Sequence, residues 1–332
     1  MQKVTAKTLS GKAASLLNAG EVKYVLGWKK GEFDYDITPA LFESAEELEK
    51  DFVWNDFSCA NLSKYLIKYT RSLSGKILVF LKPCDTFSFN QLLTEHRIDR
   101  QKVYAVGVPC SGMADEKKIR ENADGITAIS ETEEGYLVHT LYSDAPAFIS
   151  KEEALLEKCL SCKGWAHIAL DEQIEGEVFA PSADRFDQVK ALENMTPDER
   201  YHFWQNELSR CIRCNACRDV CPACTCEKCV FDNPNSGVEN KAAANSFEEK
   251  MFHIIRAFHV AGRCTDCGEC SRVCPQKIPL HLLNRKFIND IDSFYGEYQA
   301  GLDEGSRAPL VDYDTGDLEP SQVFDWRDGQ NA

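Results

Sequence analysis

The chain has no run of about 18 apolar residues, the length a bilayer-spanning helix needs, so membrane insertion is not expected. Its opening residues, MQKVTAKTLSGKAASLLNAGEVKYV, lack the apolar stretch and small-residue cleavage site of a secretory leader, and a cytoplasmic location is the expectation. Positive charge is in deficit: 38 Lys+Arg against 53 Asp+Glu leave −15. That balance repels phosphate backbones and anionic lipid, which argues against nucleic acid as a partner. Neither GxGxxG nor the P-loop pattern occurs, so no dinucleotide or phosphate-cradling loop is signalled. Histidine is scarce. His253 and His259 stand beside the cysteine-rich region but share no helical face, which reads as core or surface rather than ligation. No catalytic residue is assigned, and carboxylate-rich segments such as ESAEELEKD read as solvated helix faces.

Cysteine is what the chain has in excess, 16 in 332 residues. In a reducing compartment, clustered cysteines are more often metal ligands than disulfides. The remaining composition, 43% hydrophobic and 27% charged, is that of a soluble globular protein, and the length suits about two domains.

Residues 1–150 alternate apolar strand runs, KYVLGW, KILVFL and VYAVGV, with helical stretches. The last two runs flank FNQLLTEHR as a βαβ unit would, and ALFESAEELEKDF and ANLSKYLIKYTRSL have the spacing of covering helices. The expectation is an α/β N-terminal domain, a parallel sheet with covering helices, followed by a helical two-cluster ferredoxin domain. Residues 151–195 form a connecting segment with the pair Cys159-Leu-Ser-Cys162, 196–302 the helical ferredoxin-like domain and 303–332 an acidic extended C-terminal arm. Thr196-Pro-Asp-Glu199 and Ser246-Phe-Glu-Glu249 are capping boxes that open helices, the second with Phe247, Met251, Ile254, Ile255 and Phe258 as its apolar side.

Two segments share one pattern, Cys211-x2-Cys214-x2-Cys217-x3-Cys221-Pro and Cys264-x2-Cys267-x2-Cys270-x3-Cys274-Pro. This is the two-cluster ferredoxin run, in which three cysteines of one motif and the last of the other hold each 4Fe-4S cluster. One cluster would take Cys211, Cys214, Cys217 and Cys274, and the other Cys264, Cys267, Cys270 and Cys221. Structural zinc sites instead favour separated C-x2-C pairs. Cys84 and Cys110 each follow a strand at its carboxyl end, where open α/β sheets gather ligands. With Cys159 and Cys162 they would hold a third cluster, Cys59 being the competing fourth ligand; the other reading is buried or redox-active thiols. Cys224, Cys226 and Cys229 supply three ligands of a further site and need a fourth from elsewhere. They would bind a fourth cluster or zinc, or stay as unmetallated thiols.

Across residues 55–302 the segments LKPCD, GVPCSGM, KCLSC, RCIRCNACRDVCPACTCEKC and GRCTDCGECSRVCPQKIP resemble, in order, the beta subunits of formate dehydrogenases and hydrogenases that serve the deazaflavin coenzyme of methanogens. The sulfhydrogenase and anaerobic sulfite reductase beta subunits share part of the pattern. The resemblance implies an iron–sulfur subunit relaying electrons between a catalytic subunit and a flavin or heterodisulfide reductase-type subunit, with Cys84, Cys110, Cys159, Cys162, Cys224, Cys226 and Cys229 as site residues beside the eight of the ferredoxin motifs. The flavin-binding members carry a glycine-pair segment near the N-terminus where this chain has KTLSGKAASLLNAGEV. That departure favours a relay without FAD; the alternative is a flavin oxidoreductase acting on a diffusible carrier.

Overall fold

The computed structural model describes residues 4–163, 166–178, 183–232, 246–305 and 308–310, with the backbone alone of 246–250, 311, 324–325 and 330–331. Helix α1 (Ala6–Asn18), capped by the Thr5 hydroxyl, precedes β1 (Tyr24–Lys30), β2 (Ile37–Phe42), α2 (Ala45–Asp51) and α3 (Ser63–Ser72). Then come β3 (Ile77–Leu81), α4 (Pro83–Thr94), β4 (Val103–Gly107) and α5 (Glu116–Asn122). The expected βαβ unit is thus β3–α4–β4, and β3 is buried at every position, as a strand covered on both faces must be.

The main sheet is mixed. β1 pairs parallel with β3 and β3 with β4, while β2 is an antiparallel edge strand on β1. The other edge is β8 (Glu172–Gln173), parallel to β4 and contributed by the segment after the Cys159/Cys162 pair. The Asp171 carboxylate fixes it there by accepting from the Ala105 N–H at 2.7 Å and from Arg100 at 2.9 Å. A separate antiparallel sheet of β5 (Ile126–Glu131), β6 (Gly135–Thr140) and β7 (Ser143–Ser150) was not foreseen in the sequence. The short helices α6 (Lys151–Ala154) and α7 (Glu157–Leu160) follow it.

The second half is helical: α8 (Asp187–Glu193), α9 (Pro197–Ser209), α10 (Ala216–Asp219), α11 (Ser246–Val260), α12 (Glu269–Arg272) and α13 (Leu280–Tyr295). The capping box expected at Thr196 is present, with Pro197 at the first helical position. The one proposed at Ser246 and Glu249 lies outside the described side chains, as does Phe247, and most of the acidic arm lies outside the described residues.

Helix α11 corrects the expected apolar face. Met251, Ile254 and Phe258 are exposed, and Phe252, His253, Arg256, Ala257 and Val260 are buried instead, while the expected Ile255 packs half-buried against the core. The physical reason is the neighbour: the inward face of α11 meets the cysteine loops, where Phe252 and Val260 pack beside cysteines and Arg256 donates to Cys217 Sγ. Phe258 stacks edge-on against Phe287 of α13, with ring centroids 4.8 Å apart. Among the described residues no helix is long and apolar enough to cross a membrane.

Candidate metal centres

Each ferredoxin motif begins as a loop whose turns demand left-handed backbone at matching places. Arg213 and Asp266, two residues after the first cysteine, have φ of 52° and 55°; Asn215 and Gly268, four residues after it, have 62° and 68°. The turns aim amides at sulfur: the Arg213 N–H donates to Cys211 Sγ at 3.3 Å, and the Asp266 N–H does the same for Cys264. Asn tolerates this conformation better than most L-residues. At Gly268 a Cβ would also lie 2.4 Å from Lys158 Cβ. Gly268→Ala should therefore cost roughly 1–3 kcal/mol in backbone strain before the clash is relieved. Asn215→Gly should cost nothing comparable, and anaerobic thermal unfolding of the two variants makes the comparison; equal melting temperatures would contradict this account of the loops.

The loops bring the expected cysteines together crosswise. Cys211, Cys214 and Cys217 line one cavity with Cys274 of the other motif. Cys221 packs with Cys264 across from it, and Cys270 neighbours Cys267 and Cys264. Lys117 ties the return turn down, donating to the carbonyls of Arg272 and Cys274 at 2.6 and 2.8 Å.

Around these loops is a shell of buried charge that motif spacing did not single out. Glu269, between Cys267 and Cys270, is fully buried. It takes two bonds from Arg272 at 2.8 Å, an ion pair from Lys158 and the Asn61 N–H at 3.2 Å. Burial alone would raise its pKa, but Arg272 and Lys158 hold it well below the usual carboxylate range. Asp266 is pulled down to about 2 against its burial by Arg285, Arg185 and Lys163. Arg256 of α11 donates to Cys217 Sγ at 3.3 Å and reaches Cys224 Sγ at 3.9 Å. The only sequence signal for Asp266 and Glu269 is their position inside a cysteine loop, where a side chain has little access to water.

The N-terminal half supplies the next group. Cys84 opens α4 beyond the end of β3, and Cys110 follows β4. Cys84 interacts directly with Cys162, and Cys110 and Cys159 are mutual neighbours that also face Cys162. The Lys82 and Asp85 that flank Cys84 are both buried and pair at 2.8 Å. Lys82 also donates to the carbonyls of Ser58 and Ala60 at 3.2 and 2.9 Å and lies over Trp28, so it braces the 58–60 loop against the start of α4. Cys59, in that loop, packs beside Cys110 and Cys159, but its thiol donates to the Ala114 carbonyl at 3.4 Å. Two contacts join this group to the second ferredoxin motif: Lys158–Glu269, and Lys163 donating to the Thr265 carbonyl.

Cys224, Cys226 and Cys229 line a cavity of about 580 Å³ with Lys64, Arg256 and Arg263 among its other walls. Lys64 donates to the Cys224 carbonyl, and Cys224 also meets Cys221 side chain to side chain. His259, exposed on α11, reaches the same cavity, whereas His253 is buried at the cavity of Cys211.

These surroundings fit iron–sulfur groups. All sixteen cysteines are thiols, none paired in a disulfide. Burial pushes Cys59 up to about 11 and Cys110 and Cys267 up to about 12, so a metal must displace their protons on binding. The Arg256 guanidinium at Cys217 and Cys224 offsets part of the negative charge that thiolates bring to a cluster. Among the described residues no three His, Cys, Asp or Glu side chains close around a single ion. Among the described residues, neither ring nitrogen of His253, beside Cys211, has a hydrogen-bond partner.

A 4Fe-4S dicluster domain model matches residues 207–278, which include both motifs. Over 366 aligned residues the chain is 27% identical to a curated protein of Methanocaldococcus jannaschii named F420-dependent formate dehydrogenase subunit beta, covering 89% of this chain and 91% of that one. A Methanococcus maripaludis protein, F420-dependent formate dehydrogenase 1 subunit beta, is 24% identical with 87% and 89% covered. A solved chain of the F420-reducing [NiFe] hydrogenase complex from Methanosarcina barkeri aligns over 48% of this chain and 60% of its own at 15% identity, with a TM-score of 0.37.

Proposed function

We propose that this chain, a homologue of the beta subunits of F420-dependent formate dehydrogenases, is the iron–sulfur electron-transfer subunit of a cytoplasmic oxidoreductase complex of formate dehydrogenase, hydrogenase or heterodisulfide reductase type. When bound, its clusters supply one-electron transfer. Cys211, Cys214, Cys217 and Cys274 hold one cluster, and Cys264, Cys267, Cys270 and Cys221 the second. Cys84, Cys110, Cys159 and Cys162 hold a third, with Cys59 packed beside them and its thiol donating to the Ala114 carbonyl. Cys224, Cys226 and Cys229 supply three ligands of a fourth centre. The chain divides into an α/β unit of 1–150, a connecting segment of 151–195, a ferredoxin-like unit of 196–302 and an arm of 303–332.

The observation that carries the reading is the crosswise cavity, where Cys274 joins Cys211, Cys214 and Cys217. Protein side chains do the rest. Arg256 and the loop amides stabilise thiolate charge, α11 and α13 exclude water, and Lys158–Glu269 holds the third cysteine group against the second motif. Buried centres kept close and rigid in this way suit a relay. At the carboxyl ends of β3 and β4, where an α/β sheet would take a flavin, stand Cys84, Cys110 and the buried Lys82–Asp85 pair.

Cys214→Ser tests the relay. Electron flow between partner subunits should fall by at least about 100-fold, the scale of losing an essential step, while a dye-linked assay of the catalytic partner alone stays intact. Full physiological coupling in that variant would reject the proposal. The names of the relatives favour one second reading, a flavin-bearing subunit acting directly on a deazaflavin carrier, and flavin bound to the purified chain is its signature.

A further inference from the structure

Helix α11 brings His253 to the wall of the cavity formed by Cys211, Cys214, Cys217 and Cys274. The ring is 2% exposed, and among the described residues neither Nδ1 nor Nε2 finds a hydrogen-bond partner. Native structures seldom leave a buried polar atom unpaired, because its lost hydration costs about 1–3 kcal/mol. An imidazole carries an N–H donor in either of its tautomers, so the ring has a proton to offer. Phe252 stacks edge-on against the ring with centroids 5.0 Å apart, fixing its orientation from one side. One turn along the same face, Arg256 already donates to Cys217 Sγ. His253 and Arg256 thus stand one turn apart on the inward face of α11, both against the first ferredoxin motif.

We propose that His253 donates its ring N–H to a sulfur of the iron–sulfur group held by Cys211, Cys214, Cys217 and Cys274, and so raises that group's reduction potential. This rests on the relay reading above. A donor aimed at sulfur favours the reduced form, which carries one more negative charge, over the oxidised one. The N–H bond stays intact, so His253 is a positioning and tuning residue rather than a catalytic one.

The test is an EPR-monitored redox titration of the full chain purified without oxygen, beside His253→Leu and His253→Gln, with iron and sulfide counted in each. All three chains should carry the same iron. At the potential where the wild-type group is half reduced, the leucine variant should show a roughly tenfold lower reduced-to-oxidised ratio, about 59 mV for one electron. Glutamine, which keeps an N–H donor, should recover most of the difference. A fully loaded leucine variant with an unchanged ratio overturns the proposal. If the leucine chain fails to load, the wild type labelled with 15N-histidine decides: ring-nitrogen coupling in the pulsed EPR of the reduced protein supports the hydrogen bond, and its absence overturns it. A wild-type chain without iron would instead overturn the relay reading itself.

Discussion

Cys274→Ser is expected to abolish the same EPR signal as Cys211→Ser, although the two residues belong to different motifs. Cys221→Ser is expected to match Cys264→Ser in the same way. The cause is the crosswise packing: Cys274 lines the cavity of Cys211, Cys214 and Cys217, and Cys221 packs with Cys264. A serine hydroxyl ligates iron far less well than a thiolate and, being buried at Cys274 and Cys221, has no water to replace the lost bond. Each variant should lose about four iron atoms per chain, the content of one cluster. Coupled electron flow should then stop in all four, because a relay fails at any missing centre. If Cys274→Ser instead shared the spectrum of Cys264→Ser, each motif would hold its own cluster and the crosswise assignment would be wrong.

The second large effect is on stability. Glu269→Gln should lower it by roughly 3–5 kcal/mol, the cost of leaving buried cations without their counter-charge. Glu269 is fully buried between Lys158, itself 7% exposed at the side chain, and Arg272. Glutamine keeps the shape but removes the charge that both cations face. Lys158→Met should cost less, because Glu269 keeps its two bonds from Arg272. Anaerobic thermal unfolding checks the order, with the glutamine variant melting on the order of 10 °C below wild type. Unchanged melting in Glu269→Gln would mean that the ion network does not hold the cysteine pair of the connecting segment to the second motif.

The elements visible in the sequence were those whose local signals agree with their surroundings. The runs at 76–81 and 103–108 are covered on both faces, so their uninterrupted apolar character survives as β3 and β4. Thr196-Pro-Asp-Glu199 contains its whole cap within four residues and forms as expected. The cysteine spacing likewise encodes the first two sites, because a loop of fixed length is their scaffold.

What stayed hidden depends on tertiary neighbours. β7 is exposed over 143–148 and offers no alternation to read, and β8 is two residues long and depends on the Asp171 carboxylate for its place. The apolar periodicity of α11 pointed to Phe247, Met251, Ile254, Ile255 and Phe258, yet Met251, Ile254 and Phe258 are exposed and the helix turns His253 and Arg256 inward with Phe252, Ala257 and Val260, toward the cysteine loops. Glu269 and Lys158 are 111 residues apart, so no local pattern could pair them. The convergence of Cys84, Cys110, Cys159 and Cys162 was suggested by strand ends alone; the bracing by Lys82 and Asp85 emerges only from the packed structure.

We propose that the N-terminal half of the chain holds a metal centre beside the ferredoxin pair and holds no flavin. Iron, acid-labile sulfide and flavin counted per chain, on protein purified without oxygen, test it most directly. The account predicts at least about twelve iron and twelve sulfide atoms, three four-iron clusters or more, and no flavin. About eight iron atoms with one bound flavin would contradict it, confining the metal to the two ferredoxin motifs and making the α/β half a flavin site.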